Sequence, residues 1–325
     1  MQAITYNTFG PPDVLELREV GEPEVGDGEV LVRVRAASVN PADWYLMTGM
    51  PWLARPQMGL RRPRTGRLGV DLAGEVAAVG RDVSRFRPGD AVFGTGDGTL
   101  AERVAVAEAN LAAKPARLSF EQAAAVPVAA LTALQGLRDK GRLRPGQRVL
   151  VNGASGGVGT FAVQLAKALG AEVTAVCSTR NVEAARSLGA DRVVDYTRED
   201  FTGGGRRHDL LLDVAGSRPW SACRRVLEPR GRLVLVGAPK GSRLLGPLGH
   251  IARVRLASLR ASQKVVFFMS KATSQDLTAL AELLEAGTVT PSVERTYPLP
   301  EAADALRYLG EGHARGKLVV TVQPR

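Results

Sequence analysis

Asn152-Gly-Ala-Ser-Gly-Gly-Val-Gly159 follows directly on the apolar run Arg148-Val-Leu-Val151 and fits four glycines, an alanine and a serine into eight positions. Side chains are nearly excluded there, as they must be where a backbone turns tightly and lets another body come close. The periodic residues that follow, 157–169, predict a helix. A strand, a glycine-rich turn and a helix N-terminus, in that order, make the place where a dinucleotide pyrophosphate docks on exposed N–H groups at the positive end of the helix dipole. The fingerprint reads Ala-x-Gly-x-x-Gly over Ala154, Gly156 and Gly159. Taken alone, with alanine at its first position, it also fits a strand-to-helix turn that only packs tightly.

The surroundings favour the dinucleotide. From about residue 122, strand patterns at 148–152, 172–177, 192–196, 209–214, 232–237 and 264–269 alternate with helical ones, among them 157–169, 182–188 and 221–227. Six short apolar strands joined by helices imply an α/β fold with a doubly wound parallel sheet. Before residue 120 the texture differs. The β-rich runs 29–35, 71–79, 91–93 and 103–106, separated by Gly, Pro and Asp turns, predict an irregular antiparallel β domain. The tail adds helices at 274–286 and 300–309 and a strand at 317–322, expected to rejoin that first domain. The predicted division is therefore 1–121 with 272–325 as one domain and 122–271 as the dinucleotide-binding domain.

Cofactor choice is read at the end of the second strand of the alternating region. An Asp or Glu there accepts the ribose hydroxyls of NADH and repels a 2'-phosphate. This chain has Cys177-Ser-Thr-Arg180 instead, two hydroxyls and a guanidinium suited to phosphate. NADPH is the expected cofactor, with Ser178, Thr179 and Arg180 at its 2'-phosphate. Ser178 and Thr179 also suit the capping of a helix near Asn181, which is compatible with that role.

Composition narrows the partners. The 325 residues carry a formal charge of +10, but the arginines are scattered and aromatics make up only 5%, which speaks against a base-stacking nucleic-acid surface. The densest basic stretch, Arg61-Arg-Pro-Arg64, reads as an exposed loop. No apolar run is long enough for a membrane helix, and the start, Met1-Gln-Ala-Ile-Thr-Tyr-Asn, has no signal-peptide pattern, so a cytoplasmic protein without a membrane partner is expected. Two cysteines, Cys177 and Cys223, cannot build a four-cysteine zinc site. His208, His250 and His313 lack ligand spacing and read as loop residues.

Gly69-Val-Asp-Leu-Ala-Gly-Glu-Val-Ala-Ala-Val-Gly80, Arg87-Pro-Gly-Asp-Ala-Val-Phe93, Ala124-Ala-Val-Pro-Val-Ala-Ala-Leu-Thr-Ala-Leu134 and Leu188-Gly-Ala-Asp-Arg-Val-Val-Asp-Tyr196, in this order, resemble the medium-chain dehydrogenase/reductase superfamily over almost the whole chain. The resemblance implies a GroES-like, mainly β catalytic domain with the Rossmann domain inserted in it and the active site between them. Zinc-dependent members carry a catalytic cysteine where this sequence has Asn40 and a histidine where it has Val70. An amide and an isopropyl group cannot replace thiolate and imidazole, so no metal is expected. The four-cysteine lobe expected after Phe93 is missing as well. Asn40, Asp43 and Tyr45 are similar to the Asn-x-x-Asp-x-Tyr arrangement of the zinc-independent quinone oxidoreductase branch.

Without a Lewis acid, alcohol oxidation loses its main means of lowering the substrate's pKa, whereas reduction of a quinone or an α,β-unsaturated carbonyl places charge on a delocalised system that hydrogen bonds can stabilise. The resemblance implies that Asn40 meets the nicotinamide ribose and the substrate, Tyr45 the substrate oxygen, and Thr132 the nicotinamide. A half-buried packing role for Tyr45 beside Trp44 is equally compatible with the sequence. Ala154, Ser155, Gly156, Gly157 and Val158 are expected at the pyrophosphate, Tyr196 at the adenosine, and Val214, Gly237, Ala238, Phe267 and Phe268 toward the nicotinamide. Lys317, placed just before the last strand, is either at a cofactor phosphate or solvated. Residues 46–67 and a loop at 239–259 are expected to shape the substrate pocket. The apolar edge run Lys264-Val-Val-Phe-Phe-Met269 suits a homodimer. Other readings that stay open are an NADPH-binding sensor or partner platform without turnover, a metal-free alcohol dehydrogenase, and a nucleic-acid binder that uses the basic surface.

Overall fold

Along Glu29-Val-Leu-Val-Arg-Val-Arg35, Val30, Val32 and Val34 point to one buried face, while on the other face Arg33 is exposed and only Leu31 is buried, as a strand with one face in a core requires. In a computed structural model, which describes residues 1–238, 244–312 and 314–323, this run is the first half of a long strand. The chain divides into two compact units, Met1–Leu131 with Lys271–Arg325, and Thr132–Ser270.

The first unit opens with a two-stranded antiparallel ribbon, β1 (Gln2–Thr5) and β2 (Glu16–Glu19). It continues with β3 (Glu29–Val39), β4 (Asp71–Val79), β5 (Ala91–Thr95), β6 (Arg103–Ala107) and β7 (Leu111–Ala113), paired antiparallel. The second unit contributes β8 (Arg148–Asn152), β9 (Glu172–Cys177), β10 (Arg192–Asp195), β11 (His208–Asp213), β12 (Leu227–Leu235) and β13 (Lys264–Phe267). The chain then returns to the first unit with β14 (Val293–Pro298) and β15 (Lys317–Thr321). There β15 lies antiparallel to β3, with Leu318 opposite Val39, and completes a seven-stranded sheet of order β14-β15-β3-β4-β5-β7 with β6 beside β3. Its core gathers Val30, Val32, Val34, Leu72, Val92, Leu111, Leu318 and Val320.

The sheet of the second unit has the order β10-β9-β8-β11-β12-β13, and every pairing in it is parallel. The strand order reverses between β8 and β11, so the carboxyl ends of these two strands flank the crevice where doubly wound sheets take their ligands. Leu150, Val176, Leu211, Leu233 and Trp220 form the core on one face. β13 forms one edge and pairs with β12.

Three expectations need correction. Part of the stretch expected to be a pocket loop at 239–259 is helix Pro247–Ser258, with proline in its first turn and Ile251 and Val254 buried three residues apart; only two buried positions in twelve residues leave a faint periodic signal. His250 therefore sits on a helix. His208 is not a loop residue either, but the first residue of β11, buried, with Nδ1 3.2 Å from the Val226 carbonyl and Nε2 3.2 Å from Thr174 Oγ1. Burial lowers its pKa, so the ring is neutral at pH 7. Third, β12 spans Leu227–Leu235 and not 232–237, its added first part pairing irregularly: the register against β11 jumps from His208 opposite Leu227 to Leu210 opposite Arg232. His313 and residues 239–243 lie outside the described residues. Among those described, no helix is long and apolar enough to cross a membrane.

Candidate functional site

In the second unit the glycine turn joins β8 to helix Gly157–Ala168. Three of its glycines answer three different demands. Gly153 has φ +89°, a backbone conformation that L side chains resist. At Gly159 a Cβ would lie 2.1 Å from the Gly153 carbonyl oxygen, so the helix can press against the turn only because no side chain intervenes. Gly156 differs. Its backbone is extended, its nearest potential neighbour is 3.7 Å away, and as N-cap it makes no side-chain cap bond. The first N–H groups of the helix thus have no capping side-chain oxygen, and the space beside Gly156 is free of close neighbours, an arrangement suited to an anion. Ala154 is buried beneath this turn and Ser155, Gly157 and Val158 are half-buried along it.

Other expected cofactor residues gather at the carboxyl ends of the neighbouring strands. A Cβ at Gly237 would fall 1.9 Å from the Val214 carbonyl oxygen, so the ends of β11 and β12 close on each other backbone to backbone, and Val214, Gly237 and Ala238 are half-buried there. Asn152, ending β8, donates Nδ2 to Asp213 Oδ1 at 2.7 Å, and Gly216 N donates to the same oxygen at 2.8 Å, which fixes the β11 turn. Thr132 Oγ1 lies 2.8 Å from Ser270 Oγ. Phe268 packs on Gly136, with the Lys140 ammonium 5.9 Å from its ring centre; Phe267 is half-buried at the end of β13. Ser178 Oγ accepts a hydrogen bond from Asn181 Nδ2 at 3.1 Å and is the N-cap of the turn Thr179–Asn181, while Arg180 and Tyr196 are exposed. Sequence reasoning found no acid at the end of β9. The structure brings one from the next strand, Asp195 of β10, whose Oδ2 accepts the Thr179 hydroxyl.

The first unit holds a network of another kind. Asp71, fully buried at the start of β4, accepts four hydrogen bonds: Oδ1 from Val128 N at 2.8 Å, and Oδ2 from Ser38 Oγ at 2.7 Å, Asn40 Nδ2 at 2.9 Å and Lys317 Nζ at 3.0 Å. Lys317 also donates to Asn40 Oδ1 at 2.6 Å and, at 3.4 Å, to the Val39 carbonyl. The pairing of β15 with β3 brings the lysine to this point. Lys317 is thus the first residue of β15, 4% exposed, and is neither solvated nor available to a phosphate, since its three donors are taken up inside the protein. Two charges leave water here, at several kcal/mol each, and only this dense pairing offsets the cost.

Asn40 caps helix Pro41–Thr48. Its N–H donates to Asp43 Oδ2 at 2.8 Å, and Asp43 Oδ1 accepts Gly69 N at 3.0 Å. Asp43 is a buried brace between the Asn40 and Gly69 backbones. Burial pushes its pKa up to about 6, against the lowering effect of its two backbone hydrogen bonds. The Asn40 amide is held at both ends, Nδ2 by Asp71 and Oδ1 by Lys317. Tyr45 is half-buried on the same helix; burial raises its pKa, so its hydroxyl stays protonated at neutral pH, and no hydrogen bond to it is made among the described residues. Trp44 packs against Gly310.

This donor set does not fit a zinc ion. Asn40 Oδ1 and Asp71 Oδ2, the nearest oxygens, share an ammonium, and Val70 supplies no donor. Among the described residues no three His, Cys, Asp or Glu side chains are grouped as metal ligands. Sequence reasoning missed Asp71, Ser38 and Lys317's true partners. The one available signal was an acid set inside the apolar strand run Val70-Asp-Leu-Ala73, which only a buried partner can stabilise.

Residues 26–116 match the family model described as alcohol dehydrogenase GroES-like domain, and residues 188–320 that described as zinc-binding dehydrogenase. The chain is 37% identical to NAD(P)H oxidoreductase RTN4IP1, mitochondrial, of Mus musculus, over 90% of this chain and 82% of the relative. Among solved structures it is similar to the quinone oxidoreductase from Coxiella burnetii, with TM-score 0.87 and 31% identity over 99% of both chains. It is also similar to the Escherichia coli quinone oxidoreductase complexed with NADPH, with TM-score 0.83 and 26% identity, covering 99% of this chain and 100% of the other.

Proposed function

The chain belongs to the medium-chain dehydrogenase/reductase superfamily, in its quinone oxidoreductase-like branch, and from that premise we propose that it binds NADPH and reduces quinones or α,β-unsaturated carbonyl compounds without a metal ion. The observation that carries the proposal is the cradle at Gly156: an uncapped helix N-terminus, open to a ligand, at the carboxyl edge of a doubly wound sheet. When bound, NADPH supplies a hydride equivalent from its nicotinamide.

The residues of this chain then act by position. The turn from Ala154 to Val158 holds the pyrophosphate with backbone N–H groups. Ser178 and Arg180 lie where the 2'-phosphate is expected, with Tyr196 at the adenosine, and Val214, Gly237, Ala238, Thr132, Phe267 and Phe268 border the nicotinamide end. In the other unit Lys317 and Asp71 hold the Asn40 amide rigid, in the place offered to the nicotinamide ribose and the substrate. The protonated Tyr45 hydroxyl is the donor offered to the substrate oxygen as that oxygen gains charge. The protein forms a homodimer through the β13 edge in the same reading, supported by a half-buried strand with an open side.

The test is NADPH oxidation over a panel of quinones, enals and enones. Turnover with at least one of these classes, and none with simple alcohols and NADP⁺, is the expected result. Tight cofactor binding with no turnover on any of them would contradict the proposal.

A further inference from the structure

Asp195 ends β10 and lies opposite Cys177, the last residue of β9, in the parallel ladder. Its carboxylate is therefore set beside Ser178, Thr179 and Arg180, the residues expected at the 2'-phosphate. The hydrogen bonds are specific. Oδ2 accepts the Thr179 hydroxyl at 2.5 Å; Oδ1 accepts the Thr197 hydroxyl at 2.7 Å and Thr197 N at 3.0 Å. A threonine hydroxyl has one proton, and Thr179 gives it to Asp195, so toward an incoming phosphate it presents lone pairs only. Desolvation pushes the Asp195 pKa up, but the bonds from Thr179 and Thr197, with Arg198 nearby, outweigh it and hold the carboxyl below the usual range. At neutral pH the tips of β9 and β10 thus carry two arginines, Arg180 and Arg198, and a carboxylate of the opposite sign, with Arg198 acting on it directly.

We propose that Asp195 is a specificity-determining residue of the cofactor site: its negative charge weakens selection for the 2'-phosphate, and its remaining Oδ2 lone pair serves a ribose hydroxyl, so that NADH remains usable beside NADPH. The proposal rests on the cofactor reading above and adds to it a residue that works against the arginine. Because the site is exposed, the electrostatic part is modest and screened by salt.

The experiment is fluorescence titration of NADPH and NADH into wild type, Asp195→Asn and Thr179→Val, at low salt and in 0.5 M NaCl. Wild type is expected to favour NADPH by less than about tenfold, and Asp195→Asn to raise that ratio by roughly five- to tenfold, chiefly through tighter NADPH binding, with the gain shrinking in high salt. Thr179→Val, which keeps the Asp195 charge but takes a hydroxyl out of the phosphate site, is expected not to raise the ratio. A constant ratio in Asp195→Asn, or an equal loss of both dinucleotides, would reduce Asp195 to a brace of the loop and overturn the proposal. An equal rise of the ratio in both variants would overturn the role given to its charge. Failure of folded wild type to bind either dinucleotide would instead sink the cofactor reading itself, and this inference with it.

Discussion

The glycine turn of the second unit and the Asp71 network of the first solve opposite problems. The turn is built from backbone and emptiness: its work is done by atoms that are missing, a Cβ at Gly159 that would strike Gly153 and a Cβ at Gly156 that would strike nothing. The network is built from side-chain charge removed from water, where each of Asp71, Lys317 and Asn40 is tolerable only because the others are in place. One site is prepared to receive a partner. The other finds most of its partners within itself and serves as the rigid support on which Asn40 is held. The difference teaches that the residues with the densest hydrogen bonding need not be those that meet the ligand.

Substitutions can break this contrast. The largest effect is expected in the network. Lys317→Ala leaves Asp71 as a buried, poorly compensated charge and should cost on the order of 3–5 kcal/mol of stability, measured by urea unfolding. Lys317→Met combined with Asp71→Leu removes both charges and should cost less than Asp71→Leu or Lys317→Met alone. If the single variants are nearly neutral, the pair is not a mutual compensation. Next comes the turn. Gly159→Ala forces a side chain against backbone and should lose about 1–3 kcal/mol, whereas Gly156→Ala should change stability by less than about 1 kcal/mol. Equal losses at the two positions would erase the distinction between a packing glycine and a ligand glycine.

The smallest effect is a pH dependence. Asp43 has a folded pKa of about 6, raised by burial above its ordinary value. A carboxyl raised in this way favours the folded state while protonated, so its contribution falls as pH climbs from about 4 to 6 and is level above that. Asp43→Asn does not titrate. The difference in stability between variant and wild type should therefore move in the variant's favour across this window, by on the order of 1 kcal/mol per pH unit at most. Parallel pH profiles for the two proteins would show that Asp43 is not the titrating group.

The same contrast explains what could be read from the sequence. The turn is local, eight residues whose composition states its purpose, and the six strands around it are short apolar runs with clear ends. The start of β12 and the helix Pro247–Ser258 have weak periodic signals, because an irregular stretch, Leu227 to Arg232, opens one and few apolar positions mark the other. The Asp71–Lys317 contact spans 246 residues and exists only because β15 returns to β3, so no local pattern announces it. Asp195 was hidden for a related reason. The rule for cofactor choice looks along one strand, and this acid arrives from the strand beside it.

The most direct test is calorimetric titration of NADPH into wild type and Gly156→Val. Gly156 has φ −82° and ψ 175°, an extended conformation that valine accepts, so the variant should fold while its side chain fills the cradle. Saturable binding of one NADPH per chain in wild type, weakened by at least about tenfold in a folded Gly156→Val, is what the account predicts. No heat in wild type, or undiminished binding in the variant, would contradict it.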